Sequence, residues 1–222
     1  MELDRIPLLK GLEQKEIELV RSVVKERIYP KGSVIFVEGQ ETDGLYLVVA
    51  GVVKVFKLYK DGREKTLAIL REGDIIGEVT ISGSSVRSAT IAAIEQTNIL
   101  VISKEDFQDL LRKIPELAVR VIELLSYRLR QTNRQVEELA FLNARSRVIC
   151  NLINLAKESG QVDKTGIKIT FRLTHAELAN LVGVTRETAT KVISELQHHD
   201  LIKITNKQIC VLDLEKLYRE VT

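Results

Sequence analysis

Residues 173–202 have the sequence LTHAELANLVGVTRETATKVISELQHHDLI, which decides the fold of the C-terminal part of the chain. Thr174 and Glu177 have the spacing of a capping box, in which a hydroxyl and a carboxylate satisfy the free amides of a helix start. Gly183 allows a tight turn, and Thr185 can cap a second helix. Two short helices joined at a glycine are typical of a helix-turn-helix.

The second of these helices divides into a buried and an outer face. Arg186, Glu187, Thr190 and Lys191 are expected on the outer face, because offsets of three and four align on a helix. In a DNA major groove, Arg matches guanine N7 and O6, and Glu accepts from the cytosine amino group. A solvated amphipathic helix is the alternative. The residues expected on the buried face are Val184, Ala189, Val192, Ile193 and Leu196.

The segments around the two helices complete a winged helix-turn-helix. Residues 201–205 and 208–211 are predicted strands on either side of a turn at Asn206 and Lys207. A helix over residues 144–157 and a strand over 167–171 are predicted before them. Residues 159–170 are predicted to be largely an exposed polar loop.

The N-terminal half has a different pattern. From Arg27 to about Ile102, short β-branched runs alternate with glycine-bearing turns, which predicts a closed β-sandwich or barrel. Asp61-Gly62 is a strong hairpin signal, and residues 1–25 are predicted to form short helices. The fold class is therefore α+β, with a β-roll followed by helices. The glycines lie at Gly32, Gly39, Gly44, Gly51, Gly62, Gly73 and Gly77.

A long uninterrupted helix is predicted over residues 115–143, with Pro115 in its first turn. About 28 helical residues would be about 42 Å long, too long for one small domain to cover. We expect a seam paired with the same helix of a second copy, and a helix packed on its own domain is the alternative. The predicted domains are 1–114, 115–143 and 144–222. The seam residues are Leu117, Val121, Leu125, Leu129, Thr132, Val136 and Leu139.

Composition excludes several classes of protein. No apolar run approaches the roughly 18 residues that span a bilayer, and the acidic N-terminus lacks a signal core, so we expect a cytoplasmic protein with no membrane partner. Cys150 and Cys210 are the only cysteines, and no histidine precedes His175. Neither an iron–sulfur cluster, a haem nor another metal site is therefore expected. No nucleophile–base–acid set is present, so we expect no enzyme.

A second constellation is GDIIGEVTISGSSVRSATI, residues 73–91. Gly77 and Glu78 are predicted to end a strand and open a short helical turn, with Arg87 nine residues after Glu78. An Arg opposite a helix N-terminus can hold a phosphate, and a carboxylate can accept a ribose hydroxyl. A surface ion pair between Arg87 and Glu78 is the alternative.

The order of these features resembles the CRP/FNR family of bacterial transcription factors over nearly the whole chain. The TRET stretch resembles the recognition helix of the family's cAMP receptor branch, with Lys191 where that branch has Arg. The resemblance implies a homodimer that binds palindromic double-stranded DNA with TGTGA-like half-sites. The expected DNA-binding residues are Thr174, Thr185, Arg186, Glu187, Thr188, Thr190, Lys191 and Lys207.

The pair Gly-Glu followed by Arg-Ser-Ala resembles the phosphate-binding cassette of cyclic-nucleotide-binding domains. The resemblance implies Glu78 on a ribose 2′-hydroxyl, Arg87 and Ser88 on a cyclic phosphate, and backbone amides near Gly77 beside them. A cyclic nucleotide, with cAMP favoured, is the expected effector. A different small effector, or none, is the alternative.

The family also supplies a Thr-Ser pair from its long helix to the purine, and Thr132-Asn133 matches it here. Asn133 departs from Ser, and a polar residue that fixes coiled-coil register is its alternative role. The expected function is a transcriptional regulator. The sequence leaves activation and repression open, and activation would need contact with RNA polymerase, for which residues 159–170 are the expected surface. The competing hypotheses are a nucleotide-binding module of a non-DNA system and an enzyme on a jelly-roll scaffold.

Overall fold

The computed structural model describes residues 3, 6–78 and 86–221. The chain forms two compact units, residues 1–129 and 130–222. The division falls inside the long helix α3 (Pro115–Phe141), which begins at Pro115 as expected and ends two residues before residue 143. The three-part division inferred from the sequence stays a prediction.

The first unit is a β-roll with flanking helices, as the glycine-punctuated pattern predicts. Two four-stranded antiparallel sheets have the orders β1-β8-β3-β6 and β2-β7-β4-β5. The β4–β5 hairpin turns at Asp61-Gly62, with Gly62 at φ +83°. Its elements before α3 are α1 (Gln14–Val23), β1 (Lys25–Tyr29), β2 (Val34–Phe36), β3 (Leu45–Ala50), β4 (Val52–Leu58), β5 (Glu64–Arg71), β6 (Ile75–Ile76), β7 (Thr90–Ala93), β8 (Thr97–Ile102) and α2 (Lys104–Lys113).

Strand β3 joins the two apolar clusters of this unit. Leu45 and Leu47 pack into a cluster with the helices around Phe107, whereas Tyr46 and Val48 pack between the sheets. Successive strand residues point to opposite faces, so β3 is apolar throughout because both of its faces are buried. The sequence pattern does not predict strand β1, since its first four residues are all exposed and show no alternation.

The exposed row on α3 differs from the predicted seam. Leu117 and Val121 are buried in the core of their own unit. The prediction that they pack against the same helix of a second copy is therefore wrong. The exposed row instead begins one residue after Val121 and keeps a three-four spacing. Its apolar members are Ile122, Leu125, Leu129, Val136 and Leu139.

The second unit is a winged helix-turn-helix, as predicted. Its sheet has the order β11-β12-β10-β9. The strand predicted from residue 167 is confirmed as β10, but residues 160–162 form the strand β9, so the loop expected at those three residues is wrong. β9 pairs with one edge of β10, and β12 pairs with the other edge. The elements after α3 are α4 (Ala144–Ser159), β9 (Gly160–Val162), β10 (Ile167–Ile169), α5 (His175–Val182), α6 (Arg186–His198), β11 (Ile202–Thr205), β12 (Gln208–Val211) and α7 (Leu214–Arg219).

Candidate functional site

The start of each helix in the helix-turn-helix is fixed by its own side chains. The Thr174 amide donates to Glu177 Oε2 at 2.7 Å, and the Glu177 amide donates to Thr174 Oγ1 at 3.1 Å. Gly183 ends α5 at φ +76°, which is the left-handed conformation that glycine tolerates best. Thr185 caps α6 by accepting from the Thr188 amide at 3.2 Å. The two helix starts are therefore pre-formed by local contacts.

Helix α6 separates an apolar from a polar face as the sequence predicts. Ala189, Val192, Ile193 and Leu196 are buried, and Val184 is half-buried. The polar face leaves three charged side chains exposed, with Thr190 half-buried beside them. These charged residues are Arg186, Glu187 and Lys191.

Glu187 is held as an anion on this face. A hydrogen bond from its own backbone amide, and then one from the Thr185 side chain, lower the pKa of Glu187 below its ordinary value. An ionised carboxylate near DNA phosphates is unfavourable unless it accepts from a base donor. Its position beside Arg186 on the first turn therefore suits contact with base edges.

The ribbon after α6 ends in a tight two-residue turn. Asn206 and Lys207 have φ values of +53° and +63°, as a type I′ hairpin turn requires. Lys207 is exposed at the tip. A lysine at this tip can bind a phosphate, because a phosphate oxygen accepts a hydrogen bond from an ammonium group and does not need the planar guanidinium of an arginine.

A pocket of ≈ 80 Å³ lies in the first unit. It brings the predicted Gly77, Glu78, Arg87 and Ser88 together, and it adds Arg128 from α3. Its remaining wall is mostly apolar, a composition usual for small-molecule sites. The other lining residues are Phe36, Val55, Leu70, Ile76, Ala89 and Ile91.

Arg87 is the central cation of this pocket and is only 2% exposed. Its Nη2 donates to Asp43 Oδ1 at 2.6 Å, and its Cζ lies 4.0 Å from the centre of the Phe36 ring and 4.9 Å from that of Tyr46. Its Nε and Nη1 have no hydrogen-bond partner among the described residues. Buried donors of a cation are costly when unpaired, so the arrangement suits an anionic ligand.

Asp43 anchors Arg87, and no motif in the sequence indicates it. The Tyr46 hydroxyl donates to both oxygens of the Asp43 carboxylate, at 2.9 and 2.8 Å. Burial alone would raise the pKa of Asp43, but hydrogen bonds from Tyr46 and Arg87 outweigh it and hold that pKa below its usual value. Burial, together with this bond to Asp43, raises the pKa of Tyr46 to about 12. The carboxylate is thus charged and aimed at Arg87.

Glu78 pairs with Arg128, so the alternative of an Arg87–Glu78 surface pair is wrong. Arg128 Nη1 forms an ion pair with Glu78 Oε1, and its Nη2 donates to the Ile75 carbonyl. Glu78 is 8% exposed. Sequence reasoning also misses Arg128, because no local spacing connects a residue of the long helix with a strand end.

Position 77 requires a glycine, both for its backbone conformation and for the space around it. Its φ is +87°, and a Cβ at this position would overlap Arg87 Nη1 and lie 3.2 Å from the Gly44 carbonyl oxygen. The helical turn predicted after Glu78 falls on residues 79–85, which lie outside the described residues. Thr132 and Asn133 are exposed on α3 in the second unit, and their predicted contact with a purine stays a prediction.

The described part of the chain offers neither a metal cluster nor a membrane span. No group of three or more His, Cys, Asp and Glu side chains is arranged there to hold a metal ion. None of its helices is long and apolar enough to cross a bilayer.

Cys150 and Cys210 are both half-buried free thiols. Burial raises the pKa of the Cys150 thiol.

A buried cationic pocket in one unit and a winged helix-turn-helix in the other define an effector-controlled, DNA-binding regulator of transcription. Residues 26–114 match the model of the cyclic nucleotide-binding domain, and residues 146–220 match that of the Crp-like helix-turn-helix domain. The cyclic AMP receptor protein of Thermus thermophilus is 35% identical over 198 residues, 89% of this chain and 88% of that protein. The chain therefore belongs to the CRP/FNR family of bacterial transcription factors.

Two further relatives support this assignment. The CRP-like cAMP-activated global transcriptional regulator of Mycobacterium tuberculosis is 29% identical over 217 residues, 98% of this chain and 97% of that protein. The structure of the c-di-GMP responsive global regulator CLP of Xanthomonas campestris has a TM-score of 0.78 and 28% identity, covering 90% of this chain and 100% of that one. The relatives are thus regulators of transcription.

Proposed function

We propose that the effector is cAMP, and that Arg87 and Ser88 bind its cyclic phosphate while Glu78 accepts a hydrogen bond from the ribose 2′-hydroxyl. The observation that carries this proposal is the pair of buried donors on Arg87, Nε and Nη1, which have no partner among the described residues. The oxygens of a phosphate accept strong, charge-assisted hydrogen bonds from guanidinium donors. A neutral ligand would bring no negative charge to the Nε and Nη1 donors of Arg87.

The ion pair between Arg128 and Glu78 supports control of the long helix by the ligand. A ribose hydroxyl at Glu78 shares the carboxylate with Arg128, and a phosphate near Arg128 attracts its guanidinium. Because Arg128 belongs to α3, binding in the pocket alters the contacts of that helix directly. A ligand shifts a conformational equilibrium only through such differential contacts.

Calorimetry on the full chain tests the identity of the effector, with cAMP, cGMP, c-di-GMP and 2-oxoglutarate as ligands. Of the three relatives described above, two are named for cAMP and one for c-di-GMP, so both classes belong in the panel. We expect cAMP to bind most tightly. Tighter binding of 2-oxoglutarate, or heat from none of the four, would contradict the proposal.

Replacing Gly77 with alanine is expected to weaken cAMP binding more than it weakens the fold. The positive φ costs about 1–3 kcal/mol for a non-glycine residue, and the new Cβ displaces Arg87 from its place. Gly62→Ala is the matched control, since Gly62 has φ +83° and a Cβ added there would have no atom within 4 Å. Both variants should lose unfolding temperature, Gly77→Ala somewhat more because of its overlap with Arg87, but calorimetric binding should weaken only in Gly77→Ala. Equal affinities would refute the role of Gly77 in the pocket.

We also propose that the protein is a homodimer paired along α3. The exposed apolar row from Ile122 to Leu139 keeps the three-four spacing of a coiled-coil seam, and its members are 40–63% exposed. Thr132 occupies the corresponding place in the middle of the row. Pairing two such helices removes this apolar surface from water.

A charge in the middle of this row is expected to break the dimer. Leu129→Glu places a carboxylate against its own copy, and we expect the dissociation constant of the dimer to rise by about 100-fold or more. Leu58→Glu is the control, because Leu58 is 64% exposed on β4 and Leu129 is 62% exposed on α3. Sedimentation equilibrium measures both. A Leu129→Glu protein that remains dimeric would place the interface elsewhere.

For the DNA side, we propose that the dimer inserts both α6 helices into successive major grooves of a palindrome with TGTGA-like half-sites. Arg186, Glu187, Thr190 and Lys191 contact base edges, and Lys207 contacts a phosphate. The exposed polar face of α6 supports this arrangement.

We further propose that the β9–β10 hairpin, where Val162 is 83% exposed, contacts RNA polymerase. Loss of transcription in vitro by Val162→Glu, with unchanged DNA affinity, tests that contact.

A further inference from the structure

A hydrogen bond connects the two helices of the helix-turn-helix at the face proposed for DNA. His175 is the first residue of α5, and Thr190 lies near the middle of α6. His175 Nδ1 lies 3.0 Å from Thr190 Oγ1, and both residues are half-buried. Thr190 shares its face of α6 with Arg186 and Glu187, which lie four and three residues before it.

This bond fixes the orientation of the threonine. A helical threonine divides between two χ1 rotamers, because its hydroxyl can also bond a carbonyl of the preceding turn. A partner on α5 selects one rotamer and so places both the hydroxyl and the methyl group. In a major groove these two groups prefer different bases: the hydroxyl bonds polar base edges, and the methyl packs on the thymine methyl.

His175 is itself held in place before any DNA binds. It directly follows Thr174, whose capping box with Glu177 fixes the backbone at the start of α5. The imidazole therefore projects from a defined helix start. Holding Thr190 in this way removes the entropy cost of ordering its side chain on binding.

We propose that His175 is a specificity-determining positioning residue: by holding Thr190 it sets the base pair that Thr190 prefers in each half-site. The proposal rests on the groove-facing role of α6 proposed above. His175 acts here through Thr190 and needs no contact of its own with a base.

The test measures affinities of the full chain, with and without cAMP, for duplexes carrying each base at each half-site position. His175→Ala and Thr190→Val are expected to lose preference at the same single base pair, by about three- to tenfold. The double variant should lose no more than either single variant. His175→Asn should restore most of the preference, because the terminal atoms of Asn lie at the same bond separation from Cβ as Nδ1 of His.

Two results would overturn the proposal. One is a preference profile of His175→Ala that equals that of the wild type. The other is an equal loss of affinity for every duplex, which is the behaviour of a phosphate contact or of general support for the fold. His198→Ala, at the last turn of α6, is the control for removal of a histidine from this unit, and its profile should keep the wild-type preference.

The same measurements separate this inference from the proposed role of α6. A wild-type protein without preference for any sequence would overturn both. A wild-type protein with clear preference, retained by His175→Ala but altered in Thr190→Val, would overturn only the role of His175.

Discussion

Arg87→Leu is expected to bind cAMP at least about 100-fold more weakly than the wild type. Each hydrogen bond to a charged partner is worth about 1.5–3 kcal/mol, and two buried donors of Arg87 have no partner among the described residues. Their combined loss corresponds to a factor of about 10²–10⁴ in the dissociation constant. Isothermal calorimetry with cAMP measures it directly.

Two companion variants separate charge from fold in this experiment. Arg87→Lys keeps the charge but not the planar fork, so an intermediate loss of about tenfold is expected. Arg63→Leu removes an arginine whose side chain is 81% exposed, paired with Asp61 outside the pocket, and should leave affinity unchanged. Wild-type affinity for cAMP in a folded Arg87→Leu protein would show that Arg87 does not bind the phosphate.

In a selection from random duplexes, the wild type is expected to enrich a palindrome, and Arg186→Ala to lose discrimination at one base pair of each half-site. A bidentate contact to guanine is worth about 1–3 kcal/mol of discrimination, which is about 5- to 150-fold in relative affinity. Glu187→Ala should relax a different single base pair, since its carboxylate accepts from one base donor.

Lys207→Ala provides the contrast with these base contacts. It should weaken binding to all sequences evenly and reduce the dependence of affinity on salt by about one ion. Lys216→Ala on α7, with a side chain 69% exposed, is the control for loss of a surface lysine. If Glu187→Ala and Lys207→Ala both lowered every affinity evenly, the division between base and phosphate contacts would be wrong.

The helix-turn-helix was predictable almost residue by residue because its contacts are local. Thr174 bonds Glu177, Thr185 bonds Thr188, and Gly183 supplies the left-handed turn, all within three or four residues of one another. Buried and exposed positions on α6 follow from the helical period alone. The β-roll was predictable as a class from its short runs and glycine turns, but the exposed strand β1 carries no such pattern.

The chemistry of the pocket was predictable only in part. The Gly-Glu and Arg-Ser pairs identified Gly77, Glu78, Arg87 and Ser88, and the structure brings all four to one pocket. Their partners were not predictable, because Asp43 and Arg128 reach Arg87 and Glu78 only through the packing of strands and the long helix. The seam on α3 shows the same limit: spacing alone did not distinguish Leu117, buried in its own unit, from the exposed Ile122.

The sequence by itself determined the order of domains, the capped helices and the charged residues of each site, since these depend on period, caps and turns that act over a few residues. Tertiary structure alone decided which charges pair, which donors of Arg87 have no partner among the described residues, and which face of α3 is exposed. Those outcomes depend on distances between segments far apart in the chain, and a buried ion selects its partner by proximity and burial rather than by spacing in sequence.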